Sequence, residues 1–187
     1  DTTGLKRDSQ VHTTLAFVHT LEDGDREFSF YRNPGADMML RKEEVSLEKI
    51  CASKIFHFGT LSFTHAGIRT ASQYAIQCAK EAGALISFDP NLREPLWENL
   101  EDARKAIEYG MECCDILKIS DNELTFMTGE KDYDKGAVLL QQKYQIPLVC
   151  VTLGKDGSRA YYKGLTIKAE PFLQKNTIET TGAGDTF

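Results

Sequence analysis

The sequence predicts an α/β fold on a parallel sheet, and three observations carry that expectation. Mostly apolar runs of strand length occur at residues 54–59, 84–89, 115–120 and 146–152. Stretches with apolar residues at helical spacing lie between them. Gly, Asn and Asp punctuate the junctions. Apolar strands alternating with amphipathic helices specify a parallel sheet with helices on both faces and right-handed crossovers.

The first forty residues have a different rhythm. Val11, Thr13, Leu15 and Phe17 alternate with His12, Thr14, Ala16 and Val18, a period of two that predicts a strand. Glu22-Asp23-Gly24-Asp25 supplies turn chemistry, and Phe28 and Phe30 alternate with Ser29 and Tyr31 on the return. The pattern predicts a β-hairpin with apolar groups on both faces. Such a hairpin either covers something besides its own core, as a lid over a cleft or a contact between two subunits, or is an ordinary edge hairpin. We therefore divide the chain into a hairpin lid segment, 1–40, and an α/β core, 41–187.

Within the core, the run 54–59 is the first strand. The next element is a helix, capped near Thr64, with Ala71, Ala75, Cys78 and Ala82 along one face and Gly83 as its stop. The run 84–89 is the second strand. A helix from about Asn99 to Cys113 buries Ala103, Ile107 and Met111. After the strand 115–120 come a short helix over 122–128, stopped by Gly129, and another over 133–144. The run 146–152 is the fourth strand.

Composition narrows the class. The chain has 187 residues, 41% of them hydrophobic and 27% charged, with 14 Gly and 5 Pro, as in a globular protein. At about 150 residues per domain, that length predicts one domain with an appendage. A net charge of −6 argues against a nucleic-acid or anionic-membrane binder, either of which needs a basic face. No apolar run approaches the roughly 18 residues of a membrane-spanning helix, so the protein is expected to be soluble. Five cysteines without a CxxC predict reduced, buried thiols in a cytosolic protein. His12, His19, His57 and His65 are scattered, without metal-ligand spacing. The absence of an initiating Met, and an end directly after a Gly-rich motif, predict a segment of a longer protein.

In an open parallel sheet, ligands bind beyond the carboxyl ends of the strands. The residues just past each strand are therefore informative: Asp89-Pro90-Asn91-Leu92-Arg93, then Ser120-Asp121-Asn122-Glu123, then Thr152-Leu153-Gly154-Lys155-Asp156-Gly157. Polar, charged and Gly-rich residues gather at one sheet edge, which is the candidate site. Thr180-Thr181-Gly182-Ala183-Gly184-Asp185-Thr186-Phe187 adds a small-residue bend whose amide N–H groups can surround a phosphate, and 152–157 offers a second such nest. Glycine suits both, because a Cβ obstructs close approach and positive φ. Asp185 at such a bend either accepts a proton from an attacking alcohol or caps a helix, and geometry alone leaves both open.

The C-terminal stretch also resembles that of a known family. Glu179-Thr180-Thr181-Gly182-Ala183-Gly184-Asp185 is similar to the D-T-x-G-A-G-D signature of the ribokinase-like (PfkB) carbohydrate kinases. Supporting stretches are Phe30-Tyr31-Arg32-Asn33-Pro34-Gly35-Ala36-Asp37, then Phe88-Asp89-Pro90-Asn91-Leu92-Arg93 followed by Leu96-Trp97, then Lys118-Ile119-Ser120 leading to Glu123, and Thr152-Leu153-Gly154. They point to the fructokinase subgroup of bacteria and run through essentially the whole chain in order.

The resemblance implies a ribokinase-like sheet with a small β lid, in a cytoplasmic ATP-dependent sugar kinase. Fructose is the implied acceptor, giving fructose 6-phosphate. The alternatives are 2-keto-3-deoxygluconate as acceptor, or a non-catalytic sugar or nucleotide sensor. A nicotinamide-dependent dehydrogenase is disfavoured, because no G-x-G-x-x-G comes after an early strand. Asp185 is implied as the general base, with Gly182, Ala183 and Gly184 around the transferring phosphoryl group and Arg93 offsetting its charge. Thr152, Gly154, Lys155 and Gly157, with Lys118 and Ser120, would hold the nucleotide. Tyr31, Arg32, Asp89, Asn91 and Arg93 would meet the sugar. Glu123 would organise Mg²⁺ through water, and Trp97 would be a packing anchor. Two subunits would pair through the lid hairpin.

Three departures from the family pattern stand out. Ser120 replaces the Asn of N-x-x-E, which leaves metal placement to Glu123. Glu179 replaces an Asp beside a loop that often binds a monovalent cation, so a K⁺ requirement stays open. The family's sugar-gripping N-terminal loop and its C-terminal adenine-pocket helices have no counterpart here, so these 187 residues alone are not expected to turn over sugar.

Overall fold

A computed structural model describes residues 2–20, 26–172 and 182–187. Two sheets organise it. The smaller is an antiparallel pair of β1 (Leu15–Thr20) and β2 (Arg26–Tyr31), with Leu15 opposite Tyr31 and Val18 opposite Phe28. The expected hairpin is therefore present, although its turn at 22–25 lies outside the described residues. Its first strand starts later than the alternation suggested. Residues 11–14 are drawn elsewhere: the Val11 N–H donates to Asp8, Ala36 N–H donates to the His12 carbonyl, and the Thr14 hydroxyl donates to Asp37. Local polar partners here displace ladder pairing.

The larger sheet has six strands in sequential order, namely β3 (Ile55–Gly59), β4 (Leu85–Asp89), β5 (Ile116–Ser120), β6 (Leu148–Thr152), β7 (Ser158–Tyr162) and β8 (Leu165–Ala169). The first four are the expected parallel strands, within two residues of their expected limits. β7 and β8 add an antiparallel hairpin that the sequence reading lacked, so the sheet is mixed. Lys163 (φ 49°) and Gly164 (φ 77°) form its two-residue turn, both left-handed as a tight hairpin of the primed type requires.

Besides a short α1 (Leu47–Cys51), the helices are α2 (Ala66–Glu81), α3 (Leu100–Cys113), α4 (Asp121–Thr128) and α5 (Tyr133–Tyr144). Capping chemistry sets their limits. Asn99 accepts from the Asp102 N–H, and Asp132 accepts from the N–H groups of Asp134 and Lys135. Gly83 (φ 79°) and Gly129 (φ 73°) stop α2 and α4. The cap of α2 is His65 rather than Thr64: the imidazole accepts from the Gly67 N–H, while Thr64 is engaged by Arg32 and Leu61.

Strand periodicity sorts the sheet into two faces. Ile86, Phe88, Leu117, Ile119, Val149 and Val151 are fully buried and share one core with Ile76 of α2, Ile107 of α3, Leu124 of α4 and Leu140 of α5. Among the described residues, then, the crossover helices gather on one face instead of two, as sequential strand order with crossovers of one hand requires. Trp97 packs against this core, in line with its expected anchoring role. Gly110 lets α3 settle directly on the Phe88 ring, where any Cβ would overlap it. The opposite face carries His57, Ser87, Asp89, Ile116, Lys118 and Cys150, and it lines a cleft.

All five cysteines are free thiols. The expectation of uniform burial fails, however, because Cys51 is exposed and only Cys114 is buried. Burial pushes the Cys114 thiol up to about 12, so it is inert. No helix among the described residues is long and apolar enough to cross a membrane.

Candidate active site

The cleft, of about 600 Å³, opens where β3, β4 and β5 end and where the Gly182–Phe187 stretch returns to the sheet. Among the residues singled out in the sequence, Asp89, Asn91, Lys118, Gly184 and Asp185 line it. They come from three separate parts of the chain. Parallel strands in register place Gly59 beside Asp89 at the same sheet edge.

Asp89 and Lys118 form the floor. The Lys118 ammonium donates to Asp89 Oδ2 at 2.9 Å, with the side chains 17% and 8% exposed. Burial pushes the Asp89 carboxyl above its ordinary value, and the Glu123 charge adds to this, against the pull of Lys118. Asp89 Oδ1 is buried with no protein partner among the described residues. Gly184 lies over the lysine: a Cβ there would come within 3.2 Å of Nζ. The bend thus brings its backbone next to a fixed cation, which suits an anion in the same place.

The bend itself is a tight turn. Gly182 has φ 78°, and the N–H groups of Asp185 and Thr186 both donate to the Gly182 carbonyl at 3.1 Å. Asp185 reaches across to the loop after β4, accepting from Asn91 Nδ2 at 3.1 Å. Ala183 is exposed at the surface of the bend. Glu179, Thr180 and Thr181, the rest of the signature, lie outside the described residues.

Glu123 is buried and accepts from three donors. Its Oε1 accepts from the Leu92 N–H at 2.7 Å, and its Oε2 accepts from the N–H and hydroxyl of Ser120, each at 2.9 Å. Ser120 and Glu123 form a reciprocal capping box at the start of α4, and the same carboxylate ties that helix to the loop after β4. With three donors on about four lone pairs, Glu123 fits a metal bridged by water better than one bound directly. Among the described residues, no group of three or more His, Cys, Asp or Glu side chains is arranged to hold a metal ion.

The remaining expected residues lie outside the lining of the cleft. Arg32 is only 7% exposed: it pairs with Asp37 at 2.6 Å and donates to Thr64 Oγ1 and the Leu61 carbonyl. It staples the base of the hairpin to the 60–64 segment, whose Thr60, Leu61 and Ser62 form one wall of the cleft. Tyr31 stacks on His12, with centroids 4.4 Å apart. Arg93 lies 5.4 Å from the Phe28 ring and joins the hairpin to the core. Gly154 (φ 55°) and exposed Lys155 form a short turn after Thr152. Gly157 has a packing reason of its own, because a Cβ would overlap the Ala169 carbonyl of β8.

The sequence reading missed His57, Ser87, Ile116 and Cys150 in the lining, and Thr60 in the wall. The four strand residues sit at alternate positions in β3–β6, so face periodicity could have identified them. The hydroxyl of Thr60 buttresses the strand end by donating to the Pro90 carbonyl at 2.6 Å, a long-range contact with no local signal.

Comparison with known proteins agrees with this fold. The chain matches the pfkB family of carbohydrate kinases over residues 1–187. It is 46% identical over 187 residues to a probable fructokinase-2 of Arabidopsis thaliana, covering 100% of this chain and 56% of that protein. Fructokinase-2 of Solanum lycopersicum is 44% identical over 184 residues, covering 98% of this chain and 56% of that protein. Among solved structures, fructokinase from Vibrio cholerae O395 in its fructose, ADP and calcium ion bound form superposes with a TM-score of 0.86 at 31% identity, over 98% of this chain and 58% of that one. Fructokinase from Xylella fastidiosa with bound ATP gives 0.83 at 32% identity, over 96% and 55%. The chain spans just over half the length of these relatives. With the family match running its whole length, and the sheet, hairpin and bend in place, the chain belongs to the pfkB family of carbohydrate kinases.

Proposed function

We propose that the protein containing this chain is an ATP-dependent fructokinase, which moves the γ-phosphoryl group of ATP to the 6-hydroxyl of fructose. One observation supports this above the others: Asp185 and Gly184 meet the β4 and β5 ends in a single cleft, over a fixed lysine. A carboxylate beside an anion-holding bend is what phosphoryl transfer to an alcohol requires.

In this reading Asp185 takes the proton from the attacking hydroxyl as the oxygen–phosphorus bond forms and the bond to the β-phosphate oxygen breaks. Gly182, Ala183 and Gly184 present backbone N–H groups to the phosphoryl oxygens, with Arg93 adding positive charge. Lys118 places its ammonium at the same oxygens, because the bend lies against it. Thr152, Gly154, Lys155, Gly157 and Ser120 carry the rest of the nucleotide, and Glu123 holds water around Mg²⁺. When bound, that ion neutralises phosphate charge. Asp89 and the hairpin residue Tyr31 face the sugar as the 1–40 segment closes over the 41–187 core, while Arg32 anchors the base of that hairpin.

The related proteins support the substrate and the nucleotide: fructose with ADP, and ATP, are bound in the two bacterial fructokinases. A potassium ion is bound in another Vibrio cholerae form, which supports testing K⁺. Exposed Phe17 (60%) and Tyr31 (58%) support pairing of two subunits through the hairpin. A cytoplasmic location accompanies this reading, and a chloroplastic relative marks the alternative.

The test is a coupled assay on the full-length protein with a panel of sugars. Fructose should be turned over with the highest kcat/KM. Faster turnover of 2-keto-3-deoxygluconate would move the acceptor assignment. Absence of any turnover, with nucleotide or sugar still bound, would favour a sensor.

A further inference from the structure

Asn91 occupies a backbone conformation that few residues adopt, and its neighbours are held on both sides. Its φ of 46° is left-handed, a region Asn tolerates better than most side chains. On one side, the Pro90 carbonyl accepts from both the N–H (3.2 Å) and the hydroxyl (2.6 Å) of fully buried Thr60. On the other, the Leu92 N–H donates to buried Glu123 at 2.7 Å. The backbone at 91 cannot swing without breaking bonds to buried groups. That fixed backbone aims the amide, whose Nδ2 donates to Asp185 Oδ1 across 94 residues of sequence.

We infer that Asn91 is a positioning residue for Asp185, holding one carboxylate oxygen so that the other accepts the substrate proton. This rests on the reading of Asp185 as the base. A general base has to be oriented without being neutralised, and an amide N–H does that where a cation would form a full ion pair. The nearby cation, Lys118, is itself occupied by Asp89. Glu123 and Thr60 then have a further purpose: they hold the loop that holds Asn91.

The test compares Asn91→Gly and Asn91→Asp in the full-length protein. Gly accepts the left-handed backbone and removes only the amide, whereas Asp keeps the shape but replaces the donor with a second carboxylate. Loss of orientation should lower kcat roughly 10- to 100-fold in Asn91→Gly, and at least as far in Asn91→Asp, with KM for sugar and ATP changed less than about threefold. The inference is overturned if either variant keeps kcat within about twofold of the parent. It is also overturned if KM for the sugar rises as much as kcat falls, which would make Asn91 a sugar contact. Asp185→Asn separates this from the parent reading. Turnover retained there removes the base assignment and the inference with it, while turnover lost there but kept in Asn91→Gly removes the positioning role alone.

Discussion

Replacing Lys118 with Met keeps most of the side-chain volume and removes the one cation bonded to Asp89 among the described residues. The carboxylate is 8% exposed, and its second oxygen has no partner among the described residues. Breaking a buried pair in this way costs about 3–5 kcal/mol, because the remaining charge is uncompensated. The carboxyl can escape that cost by taking up a proton. From its ordinary value of 3.8, protonation at pH 7 costs about 1.36 kcal/mol per unit, which sets a ceiling of about 4 kcal/mol. At pH 5 the same ceiling falls below about 2 kcal/mol. The sign is set by burial, which has already raised the Asp89 value in the folded protein. Loss of Lys118 raises it further, so the penalty vanishes below 3.8 and grows as pH climbs towards the new folded value. Urea denaturation of the full-length protein at both pH values reads this directly, with the slope m unchanged. The double variant Asp89→Asn/Lys118→Met should recover most of the loss at pH 7. An equal loss at pH 5 and 7, or a double variant no better than Lys118→Met, would refute the buried-pair reasoning.

Three other substitutions test the framework. Gly110→Ala puts a methyl into the fully buried Phe88 ring and should destabilise by about 1–3 kcal/mol or more, seen as a lower thermal midpoint. Gly157→Ala combines φ 85° and ψ −137°, a region essentially reserved for glycine, with overlap on the Ala169 carbonyl; a cost of at least about 2 kcal/mol should loosen β8, read as faster amide exchange at 165–169. Asp37→Asn weakens the Arg32 staple by about 1 kcal/mol, and proteolysis of the hairpin should quicken. Burial opposes the Asp37 charge, yet hydrogen bonds from Arg32 and Thr14 hold its carboxyl below the ordinary range. Its contribution is therefore intact above 3.8 and fades as pH falls through the lower folded value, so parent and variant should converge in acid.

The parallel strands and the crossover helices were legible because their signals are local: periodicity, with Gly83 and Gly129 as stops. Residues 158–169 were not read, since Ser158, Arg159 and Lys168 dilute the alternation and Lys163-Gly164 is a weaker turn signal than Asn-Gly. The single-sided helix layer was illegible from periodicity alone, because strand order decides which face a crossover covers. At the site, the sheet-edge rule located Asp89 and Asn91, small-residue chemistry located the bend, and the family resemblance supplied Lys118. The family resemblance placed Arg32 at the sugar, whereas Asp37, Thr64 and the Leu61 carbonyl engage its guanidinium at the base of the hairpin. Contacts spanning about 30 residues, such as Thr60 with Pro90 and Glu123 with Leu92, leave no trace in local sequence and emerge only in the folded chain.

If Asp185 removes the acceptor proton while the adjoining bend holds the phosphoryl group, the most direct test is Asp185→Asn in the full-length protein, with kcat for fructose and the dissociation constant for ATP measured on the same preparation. The expected result is a fall in kcat of roughly 10²- to 10⁴-fold, with ATP bound within a few-fold of the parent. Turnover within tenfold of the parent would contradict the base assignment.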